Sequence, residues 1–224
     1  MEETALDYAD FAEYDRRQRG IERHMLAAFL GGLAVGLVGM LTAGRGPLWL
    51  GQLYDPYMYL VLALLVGASA AGFGWALLGT SLAALSTIVA AMGGSALRGG
   101  SDLGVIGGDA AGTLNWTLAL LVGLGLLAYV TRRRDGWGDV AAGAIGTLLL
   151  ADVIDRATPG FIDSEPAFWP GPALVAGVLS AALVLALRRS WGSRLRALAM
   201  AAVLAAAFTF AVTGAPVGWI PVTV

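Results

Sequence analysis

Between Tyr57 and Leu97 the chain runs for 41 residues without an Asp, Glu, Lys or Arg. As one straight helix, at about 1.5 Å per residue, this stretch would be roughly 60 Å long, about twice the hydrocarbon core of a bilayer. A water-soluble domain has no use for so long an uncharged run, and a membrane accommodates it only if it folds back on itself. Two spans are therefore expected here, with the bend around Gly72-Phe73-Gly74 to Gly79-Thr80-Ser81, where small residues turn a hairpin while exposing little polarity.

The rest of the chain agrees with this. Hydrophobic residues make up 58% of the 224 and charged residues only 13%, with a mean hydropathy of +0.73; soluble domains carry roughly twice that share of charge. Further apolar runs at Met25–Ala43, Ala110–Thr131, Val140–Ile154, Ala167–Leu187 and Ala197–Thr213 bring the expected number of crossings to seven. The expected fold class is an all-α, polytopic transmembrane helical bundle over residues 25–213. It follows an acidic and aromatic tail, 1–24, and precedes a short carboxyl-terminal tail, 214–224.

The arginines orient this bundle, because short loops rich in positive charge stay on the cytoplasmic side. With seven crossings, Arg16, Arg17, Arg19, Arg23, Arg132, Arg133, Arg134, Arg188, Arg189, Arg194 and Arg196 fall inside, and only Arg45, Arg98 and Arg156 outside. Treating the 41-residue stretch as one crossing would translocate Arg132 to Arg134, and omitting the fifth span would translocate Arg188 to Arg196. The expected topology is amino terminus inside, carboxyl terminus outside. Seven acids in the first 24 residues argue against a secretory signal. Arginine without any lysine, among abundant Ala, Gly, Leu and Val, is what a GC-rich genome encodes, so the expected location is a bacterial plasma membrane.

Absent side chains exclude several chemistries. Without cysteine there is no disulfide, thiolate nucleophile or iron–sulfur ligation. The single histidine, His24, forms no HExxH pair, and the absence of lysine excludes a Schiff base to retinal or pyridoxal phosphate. No GxSxG and no phosphate-binding GxxxxGK[ST] occurs. No cofactor, metal or catalytic residue is assigned, and a net charge of -2 is no footprint for nucleic acid.

Ionisable groups at membrane depth are costly, which makes each a functional candidate. Asp152 and Asp155, three residues apart, share a helix face beside Arg156; two neighbouring carboxylates can share a proton or bind a cation. Hydrated acids at the outer headgroups are the plainer alternative. Asp109, after Gly107-Gly108, and Asn115 further along are a second candidate pair at a glycine-rich helix entrance, against the ordinary reading of Asp109 as a helix cap. The outer segment Thr158–Pro172, with four prolines and three aromatics, is either a cap over the acids or an aromatic belt with helix-start prolines.

On the inner side, Arg16-Arg17-Gln18-Arg19-Gly20, Arg132-Arg133-Arg134-Asp135-Gly136 and Arg188-Arg189-Ser190-Trp191-Gly192 share one short pattern. It suits either an internal repeat or a cytoplasmic docking surface, although selection for positive turns produces similar strings independently. Tyr8, Phe11 and Tyr14 recur at three-residue spacing in the tail and form a further candidate contact, or part of an interfacial leader. Glycines at i and i+4, Gly32 with Gly36 and Gly104 with Gly108 and Gly112, predict close helix packing, within the chain rather than in a dimer.

Three functional readings follow. The first is a non-enzymatic membrane subunit or accessory of a transport or envelope assembly, in contact with the bilayer and a membrane or cytoplasmic protein. The second is a small proton- or cation-coupled transporter using Asp152, Asp155, Asp109 and Asn115, and the third an intramembrane hydrolase or transferase relying on the acids alone.

Overall fold

The computed structural model describes residues 8–42, 48–97, 109–157, 168, 170–188 and 190–214. All regular structure among them is helical: α1 (Tyr8–Thr42), α2 (Leu48–Tyr54), α3 (Tyr57–Ser69), α4 (Phe73–Leu97), α5 (Asp109–Val130), α6 (Gly136–Ala157), α7 (Gly171–Leu187) and α8 (Trp191–Gly214). Seven of these have thirteen residues or more, and α2 is a short helix that the hydropathy pattern does not announce. Glu13–Thr42, Phe73–Gly94 and Gly136–Ala157 are each long and apolar enough to cross a membrane, while Tyr57–Ser69, Leu114–Val130 and Gly171–Leu187 are shorter apolar helices.

The uncharged stretch does fold back, at the leading edge of the expected bend and more tightly: Gly72 is in the turn, whereas Gly74 and Gly79 are already in the next helix. Helix α3 ends at Ser69 and α4 begins at Phe73, leaving only Ala70, Ala71 and Gly72 for the turn. Ser69 returns its hydroxyl to the Leu65 carbonyl oxygen at 2.6 Å, satisfying an acceptor in the last helical turn. Gly79 and Thr80 lie inside α4 and are buried; their small size serves packing rather than bending. The helix of the tail is a second departure. It starts at Tyr8 and runs without interruption into the first span, so Arg16 to Gly20 sit within a helix rather than in a turn.

The chain divides into two compact units, Met1–Arg45 with Tyr57–Tyr129, and Gly46–Pro56 with Val130–Val224. In the first, α1 packs most extensively on α4. A Cβ on Gly79 would lie 3.3 Å from His24 Nε2, while Gly32 meets Ala83 and Ser86, Gly36 meets Thr87 and Ala90, and Gly94 meets Met40. The separation along the chain stays at 54 or 55 residues between partners such as His24 and Gly79, Gly32 and Ser86, and Met40 and Gly94, so the two helices run parallel and in register. Helix α3 returns between them in sequence and joins Ala28 and Ala83 through Val66, with Leu62 packed against the cluster. In lipid, apolar side chains gain little by leaving their surroundings, so helices are held by close backbone approach and cross-helix hydrogen bonds. Gly32 and Gly36 allow that approach, and Thr87 exploits it by donating to the Gly32 carbonyl oxygen at 3.1 Å. This is the intramolecular use expected of the glycine pair. Gly104 and Gly108 lie outside the described residues.

The second unit follows the same plan. Helix α6 packs chiefly on α8, then on α7. A Cβ on Gly143 would lie 2.7 Å from Met200 Cβ, and one on Gly146 3.0 Å from Ala201 Cβ and 2.7 Å from Val184 Cγ2. Thr147 donates to the Ala201 carbonyl oxygen at 3.4 Å. Partners on α6 and α8 again advance together, so these helices too are parallel, with α7 running back. Ala142, Val184 and Ala197 form the shared core, backed by Leu198. Pro170 and Pro172 open α7, where a missing amide hydrogen costs nothing.

Candidate functional site

The most developed polar site belongs to the second unit, where the turn between α5 and α6 meets the turn between α7 and α8. Each turn ends on a side chain that starts the next helix. Asp135 accepts from the Gly138 amide at 3.3 Å, and Ser190 from the Ser193 amide at 3.3 Å, the N-cap geometry that relieves free amides in a first turn. Desolvation pushes the Asp135 carboxyl upward, but the Arg133 side chain and the Gly138 amide outweigh it and hold its pKa below the ordinary value. Arg133 Nη2 stands 2.8 Å from this carboxylate.

A buried ion pair joins the two turns. Asp139, in the first turn of α6, and Arg188, just past α7, are 6% and 7% exposed, and Arg188 Nη2 lies 2.6 Å from Asp139 Oδ1. Arg196, on α8, donates from Nε to Asp139 Oδ2 at 2.7 Å. Arg188 Nη1 also donates to the carbonyl oxygens of Thr131 at 2.6 Å and Arg133 at 2.8 Å. One guanidinium thus satisfies carbonyls beyond the end of α5 and neutralises a carboxylate on α6, while Arg194 Nε donates to the Arg188 carbonyl at 2.8 Å. Asp139 also lies in the first turn of α6, the end of the helix where free amide hydrogens carry partial positive charge. Gly138 is required beside it, since a Cβ there would collide with the Arg133 carbonyl oxygen.

Around this buried link the surface is basic and aromatic. Arg132, Arg133 and Arg134 are exposed, as are Trp137 at 68% and Trp191 at 73%, and the Arg194 guanidinium stacks 5.3 Å from the Trp191 ring centroid. The turns and first helical turns, 131–139 and 188–196, hold seven arginines and two aspartates. Arg188, expected on the surface, is inside it; the side chain of Arg189 lies outside the described residues. Asp139 and Arg196 were missed by sequence reasoning. Their signal was an acid one turn into an apolar helix, and an arginine immediately before the apolar run that starts at Ala197.

At the other end of α6, Asp152 and Asp155 are half-buried, and Asp152 pairs with Arg156 at 3.3 Å. The Arg156 guanidinium lies 5.8 Å over the ring centroid of Phe168, which is fully buried. The structure adds a third acid, Asp55 from the link between α2 and α3. Part of Asp55 stays open at the surface, yet packing about its carboxyl desolvates it and raises its pKa; Arg156 opposes this and Asp152 reinforces it. Asp109 is the first residue of α5, its side chain outside the described set, and Asn115 is exposed on the same helix. These two belong to the first unit, whereas Asp55, Asp152 and Asp155 belong to the second. Tyr14 is exposed on α1; Tyr8 and Phe11 lie on that helix with side chains outside the described residues. Among the described residues no group of three His, Cys, Asp or Glu is arranged to hold a metal ion. No protein-family model, curated protein or solved structure matches the chain.

Proposed function

We propose that this is a polytopic membrane subunit, of a bacterial plasma membrane, that presents the basic turns of its second unit to an acidic partner protein on the cytoplasmic side. The observation that carries the reading is the buried Arg188–Asp139 link. It ties two arginine turns into one preorganised surface, so a partner meets arginines already held in place and less ordering entropy opposes binding. The excess of arginine over acid suits a carboxylate-rich surface, and exposed Trp137 and Trp191 supply the amphipathic contact area favoured at interfaces. Parallel α1 and α4, and parallel α6 and α8, support the seven-crossing topology, since each pair then begins on the same side of the bilayer. Arg132, Arg133, Arg134 and Arg189 are the proposed contacts, and Arg188 positions them. In a mild-detergent pull-down, Arg132→Gln with Arg134→Gln is expected to reduce recovery of the partner at least tenfold while leaving the chain folded. Unchanged recovery would refute the assignment.

A second reading, a proton- or cation-coupled carrier, is favoured by the raised carboxyl of Asp55 beside Asp152. Since its pKa in the folded protein lies above the ordinary 3.8, folding strengthens its hold on a proton. The stability it contributes is complete below 3.8 and is lost as pH rises through the elevated value. Asp55→Asn is therefore expected to flatten the fall in thermal midpoint over that window. Under this reading, Asp152→Asn with Asp155→Asn also abolishes proton-driven uptake into reconstituted vesicles, and normal uptake would remove it.

A further inference from the structure

The face of α1 that packs on α4 continues past the point where α4 begins. His24 stands opposite Gly79; α4 starts six residues before Gly79, whereas α1 extends sixteen residues before His24. Tyr14, Gln18, Ile21 and Met25 lie on the same helical stripe as Ala28 and Gly32. Together with Arg17, Glu22 and Trp75 of α4 they line a cavity of about 630 Å³, a volume in the ordinary range for a small-molecule site.

The lining is graded along the helix. Toward the span it is apolar, with Ile21, Met25 and the Trp75 ring; toward the free end it carries Tyr14, Arg17 and Gln18. The carboxylate of Glu22 already accepts from Gln18 Nε2 at 3.0 Å. Among the described residues no hydrogen bond or ion pair engages the Arg17 guanidinium. The apolar end runs on into exposed Leu26 and Leu30 of α1 and Leu77 and Leu78 of α4, a surface that in a membrane faces acyl chains.

We propose that this cavity seats an anionic phospholipid, its phosphate held by Arg17 and its first methylenes lying against Ile21, Met25 and Trp75. A soluble anion would gain only a single exposed arginine, which is worth little in water. An amphiphile gains that charge together with an apolar floor continuous with the bilayer, and a fixed cation near the surface distinguishes an anionic headgroup from a zwitterionic one. This rests on membrane residence, which the same experiment reads separately.

The test uses the full chain in vesicles, with acyl-brominated phosphatidylglycerol or phosphatidylcholine as quenchers. The Trp75 signal is the difference between the native protein and Trp75→Phe. Phosphatidylglycerol is expected to quench it at least twofold more strongly than phosphatidylcholine. Arg17→Gln should erase that preference, Arg134→Gln should keep it, and millimolar inorganic phosphate should leave it unchanged. Equal quenching by the two lipids, a preference surviving in Arg17→Gln, or displacement by inorganic phosphate would each overturn the proposal. If neither brominated lipid quenches any tryptophan, membrane residence itself fails, and the lipid site with it.

Discussion

Replacing Arg188 by alanine is expected to cost about 3 kcal/mol of stability, the lower end of what breaking a buried ion pair costs. The loss is large because Asp139 stays behind, 6% exposed, and because the carbonyls of Thr131 and Arg133 lose their shared donor. It is not larger, because Arg196 still reaches the second carboxylate oxygen. The measurement is the unfolding midpoint in detergent, with Arg134→Gln, an exposed change worth a few tenths of a kcal/mol, as reference. Removing both members, Arg188→Met with Asp139→Leu, should recover part of the loss, since no buried charge is then abandoned. Equal midpoints for Arg188→Ala and Arg134→Gln would show that the link does not hold the turns. The same comparison separates the buried link from the proposed contact surface: under that proposal Arg188→Ala should weaken the fold and partner recovery together, Arg132→Gln with Arg134→Gln only recovery.

The second large effect is expected at the glycines of α1. Leucine at Gly32 would strike the Ala83 carbonyl oxygen and Ser86 Oγ, and leucine at Gly36 the Thr87 carbonyl oxygen. Backbone atoms of a helix cannot step aside as a flexible side chain does, so the helices must separate, at about 1–3 kcal/mol for each overpacked site. Separation also breaks the hydrogen bond from Thr87 to the Gly32 carbonyl, worth about 1 kcal/mol more. Gly93 provides the control, because a Cβ there meets nothing within 4 Å. Resistance to unfolding in a denaturing detergent series should fall for Gly32→Leu and Gly36→Leu and hold for Gly93→Leu. If all three behave alike, the parallel pairing of α1 and α4 is not what stabilises the first unit.

The GxxxG spacing announced the sticking face of α1, because small residues four apart make a groove on any helix. Nothing in the sequence named α4 as the helix that fills it. The fold-back of residues 57–97 was likewise forced by length against bilayer thickness, but the turn fell at Ala70 to Gly72 rather than among the glycines of α4. Three residues suffice when the preceding helix satisfies its own terminal carbonyls, as Ser69 does. In the acidic cluster, the i, i+4 pairing of Asp152 with Arg156 was local and legible. The approach of Asp55, nearly a hundred residues earlier in the chain, was not.

What the amino-acid order determines by itself is whatever depends on solvent transfer and local geometry. Apolar runs too long for water, the helices they form, caps at Asp135 and Ser190, and the bunching of arginine into short turns all follow from neighbours along the chain. Only the tertiary structure decides which of those arginines remain at the surface. Arg132 and Arg188 open similar strings, yet one is exposed and the other is buried against Asp139, because α6 supplies that carboxylate and the turn before it supplies the carbonyls of Thr131 and Arg133. Burial of a charge depends on partners supplied by other helices, and no short-range pattern encodes them.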